Sequence, residues 1–397
     1  MTLKTIKDFE VFSERVLVRC DFNVPMDDKG SILDDFKIQK TLPTLRYLIE
    51  NNARIILVSH LDTLEDGTMP TMDSVREKLE SLLKVTVKKA DDCIGTKVLH
   101  MANDLQDGEI LLLENVRLHK EETENNYEFA QALAKLAKYY INDAFAVCHR
   151  KHASVASVPH LLPSAAGFLL EEELKNLDRI LKNPERPLLV LVGGAKVETK
   201  EKFIEKISQI ADTVLLGGLL KKEINETGTI FTKPEKIIGP DKNLEAKDLD
   251  EDAINLFAKH IAGAKIILWN GPFGDTENKA FQKGTLSIAK AILASSAFSV
   301  VGGGQTVEFL RHQGLLEKFG YASTGGGAML DYLSGEEADY ITTDGTFWGK
   351  PLAIRNNGNI TAFQGTSTKV WKESTKTYET VATSKWAMVV KLELDYQ

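Results

Sequence analysis

Two lysines follow a pair of glycines in "LVGGAKVETK", residues 191–200. Lys196 and Lys200, four residues apart at what reads as a helix start, face the same way. Cations there oppose the helix dipole, so a bound polyphosphate would compensate them, although two solvated lysines fit the pattern equally well. A second glycine cluster, in "SVVGGGQTVEF" (299–309), joins an apolar run to a helical pattern through Gly302, Gly303 and Gly304. Glycine lets backbone approach a ligand closely, and a helix start offers free N–H groups to a phosphate. A nucleotide phosphate brings magnesium, which favours carboxylates, yet the next residue here is the neutral Gln305.

Other polar groups gather after apolar runs. "LLLENVRLHK" and "INDAFAVCHRKH" supply Arg117, His119, His149, Arg150 and His152. Arginine suits bidentate capture of a phosphate, and a basic loop in water explains the same residues. In "VRCDFNVP", Asp21 and Asn23 offer a carboxylate and an amide to substrate hydroxyls, or an Asx cap to a turn. Cys148 beside His149 is a poor thiol nucleophile, because adjacent strand residues point to opposite faces. There is no GxxxxGK[ST] loop, and no GxGxxG follows the first strand.

The elements that must position these groups are short apolar runs alternating with helical patterns. "RVLVRC", "RIILVS", "EILLLENV" and "KYYIND" read as strands of a first series; "LLVLV", "TVLLG", "KIILWN" and "FSVV" form a second. Continuous apolar runs of this kind predict parallel sheets covered on both faces, built from βαβ units. The fold class is therefore α/β, with two doubly wound domains. The first, 1–164, ends its strands in polar residues, and the second, 184–346, in glycines, the edge where such sheets bind ligands. The helical segment 165–183 lies between them. From 347 to 397 the chain turns rich in Thr, Ser, Val and aromatics and reads as a β-rich extension.

Composition narrows the function. A net charge of −8 with no dense basic block argues against a nucleic-acid partner. The 3 cysteines form no CxxC pair, so neither a zinc site nor a disulfide framework is expected. The start "MTLKTIKDFEVF" lacks an apolar core, and no run approaches a membrane span, so no signal peptide or membrane is expected and the compartment reads as cytoplasmic.

In their order along the chain, "RVLVRCDFNVP", "LLLENVRLHKEE", "INDAFAVCHRKHAS", "AAGFLLEEELKNL", "NPERPLLVLVGGAKV", "WNGPFG", "VVGGG" and "STGGGAMLDYL" resemble the phosphoglycerate kinase family over roughly residues 5 to 345. The resemblance implies a phosphoglycerate-binding N-terminal domain, a C-terminal domain for ADP or ATP with Mg2+, and a hinge helix whose bending unites the two substrates. By position it makes Asp21 and Asn23 hydroxyl ligands, Arg117 and Arg150 phosphate ligands, and His60 the substrate-loop histidine. Lys196 falls on the migrating phosphoryl group and Lys200 on the nucleotide phosphates. Glu277 falls on the ribose, Gly303, Gly304 and Thr306 on the nucleotide loop, and Gly325, Gly326 and Gly327 on a further turn beside it.

Four departures stand out. Gln305 replaces the metal carboxylate of the family, leaving no protein carboxylate there. Lys37 replaces its catalytic arginine, keeping charge but losing the planar fork. Asp62 and Thr63 replace a Gly-Arg pair beside the phosphate site, and Leu219 replaces a glycine ahead of a shortened stretch, so part of a base pocket is expected to be missing. The readings are a glycolytic kinase transferring phosphoryl between 1,3-bisphosphoglycerate and ADP, a relative kept as a binding or scaffold subunit through residues 347–397, or a kinase of another acid. Altered chemistry-bearing positions beside intact core strands favour impaired or repurposed activity.

Overall fold

The computed structural model describes residues 3–194, 198 and 200–335 in full, and beyond them the backbone of strand segments only. The chain divides into two compact units, Met1–Glu171 with Glu337–Gln397, and Glu172–Glu336.

The first unit holds a six-stranded sheet of β1 (Arg15–Cys20), β2 (Arg54–Val58), β3 (Val87–Lys89), β4 (Ile110–Leu112), β5 (Tyr139–Asp143) and β6 (Ser164–Ala166), in the order β3-β4-β2-β1-β5-β6. Every pairing is parallel. Burial on both faces explains the unbroken apolar runs: Val16, Val18, Ile55 and Leu57 belong to one core cluster, while Leu17, Ile56, Val58 and Tyr140 belong to another. The order reverses direction between β1 and β5, so the loops after Cys20 and Asp143 open at the point where ligands of such sheets bind.

The second unit repeats the architecture with β7 (Leu188–Val192), β8 (Thr213–Leu216), β9 (Ile237–Ile238), β10 (Ile266–Asn270), β11 (Phe298–Gly302) and β12 (Tyr321–Ala322), ordered β12-β11-β10-β7-β8-β9 and also parallel. Its switch point lies between β7 and β10. There the chains come so close that a Cβ on Gly193 would lie 2.2 Å from the carbonyl oxygen of Pro272. The expected α/β class with two doubly wound sheets holds. In the C-terminal region the strands Ala353–Asn356, Asn359–Gln364, Ser367–Lys372 and Thr377–Thr383 form an antiparallel sheet in sequence order, matching the β-rich expectation.

The long helical segment between the two series is the helix Phe168–Leu181. Its buried positions Leu170, Glu173, Leu177 and Ile180 recur at helical spacing, so an acid sits within an apolar stripe. Among the described residues no helix is long and apolar enough to cross a membrane.

Candidate active site

In the first unit the groups converge after β1, β2, β4 and β5. Arg19, fully buried in β1, donates through Nε to Ser154 Oγ (2.8 Å), through Nη1 to the Cys20 carbonyl, and through Nη2 to His60 Nδ1 (3.2 Å). A guanidinium can only donate, so His60 accepts at Nδ1 and carries its proton on Nε2. Burial, with Arg19 beside it, lowers the His60 pKa to about 3, and the ring is neutral at physiological pH.

Asp21 and Lys37 form an ion pair at 2.8 Å, with Asp21 almost wholly buried. Burial alone would raise the Asp21 pKa, but Lys37, which both pairs with it and hydrogen-bonds to it, and Arg19 overcome it and hold the carboxyl below its ordinary value. The backbone N–H of Asn23 donates to Asp21 Oδ1 (3.1 Å). Arg117 lies in the 3-10 turn Val116–Leu118, where Asn115 Oδ1 accepts from its backbone N–H (3.1 Å). The buried Asn115 also binds the amide and carbonyl of Leu61 and the carbonyl of Pro70, tying the loop after β2 to the end of β4.

His152 completes the cluster. Burial lowers its pKa to about 4, and Arg117, Arg19, Arg150 and His149 add to the shift, so these groups share one neighbourhood. Arg150 is exposed. His119 does not join them; it turns to Asp92 (2.6 Å), beside Cys93. All 3 cysteines are buried and free, and burial pushes the Cys20 and Cys93 thiols up, so neither of these two is poised as a nucleophile.

In the second unit a pocket of about 320 Å3 opens at the switch point. Leu219, Leu249, Ala253, Pro272 and Phe273 supply apolar walls, with Glu277 and Gln305 on its lining. The shortened stretch after Leu219 contributes walls through Pro240, Ala246 and Leu249. Lys200 caps the helix Glu201–Ile210 rather than lying inside it, and its ammonium donates to the Gly193 carbonyl. Burial lowers its pKa to about 8. Lys196 lies outside the described residues.

Beside the pocket two helix starts adjoin. Gly303, at φ +93°, caps the helix Gly304–His312, and a Cβ on Gly326 would lie 3.0 Å from the Gly303 Cα. Gly325 caps the helix Gly326–Leu333, so the two glycine-rich turns named from the sequence do come together. Thr324 anchors the second turn, donating to the buried Glu173 through its amide (2.6 Å) and hydroxyl (2.7 Å). Asn270, at the end of β10, is 4% exposed, and its Nδ2 has no partner among the described residues. That nitrogen lies 3.4 Å from the point where a Gly303 Cβ would stand. The fully buried Thr306 hydroxyl likewise lacks a partner among the described residues.

Helix-start N–H groups, an unsatisfied buried amide and an unsatisfied hydroxyl fit a bound phosphate. Gln305, exposed at the same helix start, carries an amide and no charge. Asn270 and Arg19 were missed as individual site residues by sequence reasoning. Asn270 lies within "WNGPFG", and only its register opposite Gly302 reveals its place.

The comparisons with known proteins agree with this picture. The sequence model of the family described as phosphoglycerate kinase matches residues 6–227 and 220–336. The chain is 39% identical to a phosphoglycerate kinase of Thermomicrobium roseum, over 84% of this chain and 97% of the relative. It is 37% identical to one of Chlorobium phaeobacteroides, over 86% and 99%. Crystallography of the Pyrococcus horikoshii phosphoglycerate kinase gives a similar structure, with TM-score 0.76, 29% identity and coverage of 85% and 97%. The Coxiella burnetii phosphoglycerate kinase is similar at TM-score 0.69 and 31% identity, covering 84% and 96%.

Proposed function

The chain belongs to the phosphoglycerate kinase family, and on that premise we propose that it transfers a phosphoryl group between 1,3-bisphosphoglycerate and ADP, in cytoplasmic glycolysis. The observation that carries the reading is the phosphate cradle of the second unit, where Asn270 Nδ2 and Thr306 Oγ1 lie buried and unsatisfied by the Gly304 helix start.

In this reading the first unit takes the acid. Arg117 and Arg150 hold its phosphate, Asp21 and Asn23 its hydroxyl, and neutral His60 offers an N–H rather than a charge. Lys37 and Lys196 balance charge on the transferring group, since such transfer relies on positioning and electrostatics more than covalent help. Lys200, Gly303, Gly304, Thr306, Gly325, Gly326 and Gly327 receive the nucleotide phosphates, and Glu277 the ribose. Magnesium, when bound, neutralises phosphate charge, and Gln305 is the residue that would face it.

A second reading, a weakened kinase or a binding subunit, draws on Gln305 and on the pairing of Arg117 with Asp62. Calorimetric titration with Mg-ADP and with 3-phosphoglycerate, followed by a coupled assay of ATP formation, tests the choice. Binding of both with turnover supports the kinase; absence of both removes it.

A further inference from the structure

Asp62 sits on the groups that the proposed acid would need. Its Oδ2 accepts from Asn23 Nδ2 at 2.7 Å, and its backbone N–H donates to Asn23 Oδ1 at 2.9 Å. Its Oδ1 accepts from Arg117 Nη1. One residue thus occupies both ends of the Asn23 amide and part of the Arg117 fork. Arg117 Nε remains buried with no partner among the described residues, so the guanidinium is left incompletely satisfied by the carboxylate it holds.

We infer that Asp62 is a specificity-determining residue that competes, from within the chain, with the phosphate end of the acid substrate. The inference rests on the kinase reading, which makes Asn23 and Arg117 substrate ligands. A carboxylate and a phosphate seek the same guanidinium, and the better match for an arginine fork is the one that fills more of its donors. The Asp62 side chain is 56% exposed against 23% for Arg117, so the carboxylate can swing into water while the arginine stays in place. Exposed pairs of this kind are weak, and displacement by phosphate is feasible. Even displaced, the carboxylate stays tethered near the phosphate and repels it. The consequence is selective: an acid with a dianionic phosphate at that end is disfavoured, whereas one ending in a hydroxyl is not.

The test uses the full chain and Asp62→Asn, with Asp62→Gly as a second variant. The asparagine side chain keeps the shape but presents no charge to Arg117. Dissociation constants are measured by calorimetry for 3-phosphoglycerate, inorganic phosphate and glycerate, with Mg-ADP as a folding control. The expected result is a gain of roughly threefold to tenfold for 3-phosphoglycerate in both variants, from the release of one exposed ion pair and the removal of its repulsion. Inorganic phosphate should gain in the same direction, and glycerate should change less than about twofold. In turnover assays the gain should appear in KM for the acid. Equal affinities in wild type and variants, with normal turnover, would overturn the role of Asp62 and leave the kinase reading standing. Equal gains for glycerate would also overturn it, because the effect would then not be selective for phosphate. Failure of every protein to bind 3-phosphoglycerate or turn over would overturn the kinase reading, and the inference with it.

Discussion

Glu173 is a buried acid in an apolar helix stripe, and its proton makes a quantitative prediction. Its Oε1 accepts from both the amide and the hydroxyl of Thr324. Burial raises its pKa from 4.5 to about 7, against the opposing hydrogen bonds. As pH rises, the unfolded chain releases this proton first. The stabilisation present below about pH 4.5 is therefore lost progressively up to about pH 7 and is flat above. Two pH units of that window, from 5 to 7, amount to about 3 kcal/mol.

The wild-type stability curve alone would not show this loss. Asp143, also raised to about 7 by burial, adds a change of the same sign. His60, His152 and His160 work the other way: burial lowers them to about 3, about 4 and about 4, so their contribution grows as pH rises toward 6.5. From pH 5 to 6.5 the more deeply buried His60 and His160 gain about 2 kcal/mol each and the half-buried His152 less, which together offset the acids. The difference between Glu173→Gln and wild type removes the shared terms. Glutamine retains the acceptor for Thr324, and any fixed penalty from its buried amide is independent of pH. In urea denaturation, the unfolding free energy of Glu173→Gln relative to wild type should rise by about 3 kcal/mol between pH 5 and pH 8, and then level. A difference that stays constant over that range would refute the argument that burial dominates this site.

Three further outcomes follow from the two sites. Gln305→Asp should tighten Mg-ADP roughly tenfold while leaving ADP without magnesium unchanged or weaker, measured by calorimetry at fixed ionic strength, since the added carboxylate acts through the metal. Asn270→Leu should weaken ADP by roughly tenfold to a hundredfold, because a buried donor to phosphate is removed; unaltered affinity would place the phosphate elsewhere. Lys37→Met should reduce turnover and raise the Asp21 pKa, followed by NMR titration of the Asp21 carboxyl carbon, because Lys37 is the leading cation that offsets its burial.

Much of the scaffold is readable along the chain because β1, β2, β7, β10 and β11 bury both faces and so appear as unbroken apolar runs. The edge strands are not: β3 is Val-Lys-Lys, and β9 and β12 have 2 residues each, too short to carry a pattern. The same division runs through the sites. Glycine clusters at strand ends are local signals, and Gly303, Gly304 and the turn 325–327 were visible as such. What a strand-end side chain touches is set by sheet order, which no local pattern contains. Asn270 reaches the cradle because β10 pairs with β11 in a register that puts it opposite Gly302.

Asp62 makes the point most sharply. As a residue type beside a phosphate site it reads as a source of repulsion. Its meaning changes once β1, β2 and β4 are neighbours, because Asn23, Asp62 and Arg117 follow those three strands and meet only there. The carboxylate is then held by an amide and a guanidinium rather than left to repel from a distance. An acid bound in this way satisfies the site only in part in the absence of substrate and must leave when a phosphate arrives. Its effect is therefore a competition, measurable as a selective shift in affinity for phosphorylated acids, where simple repulsion would act on any anion.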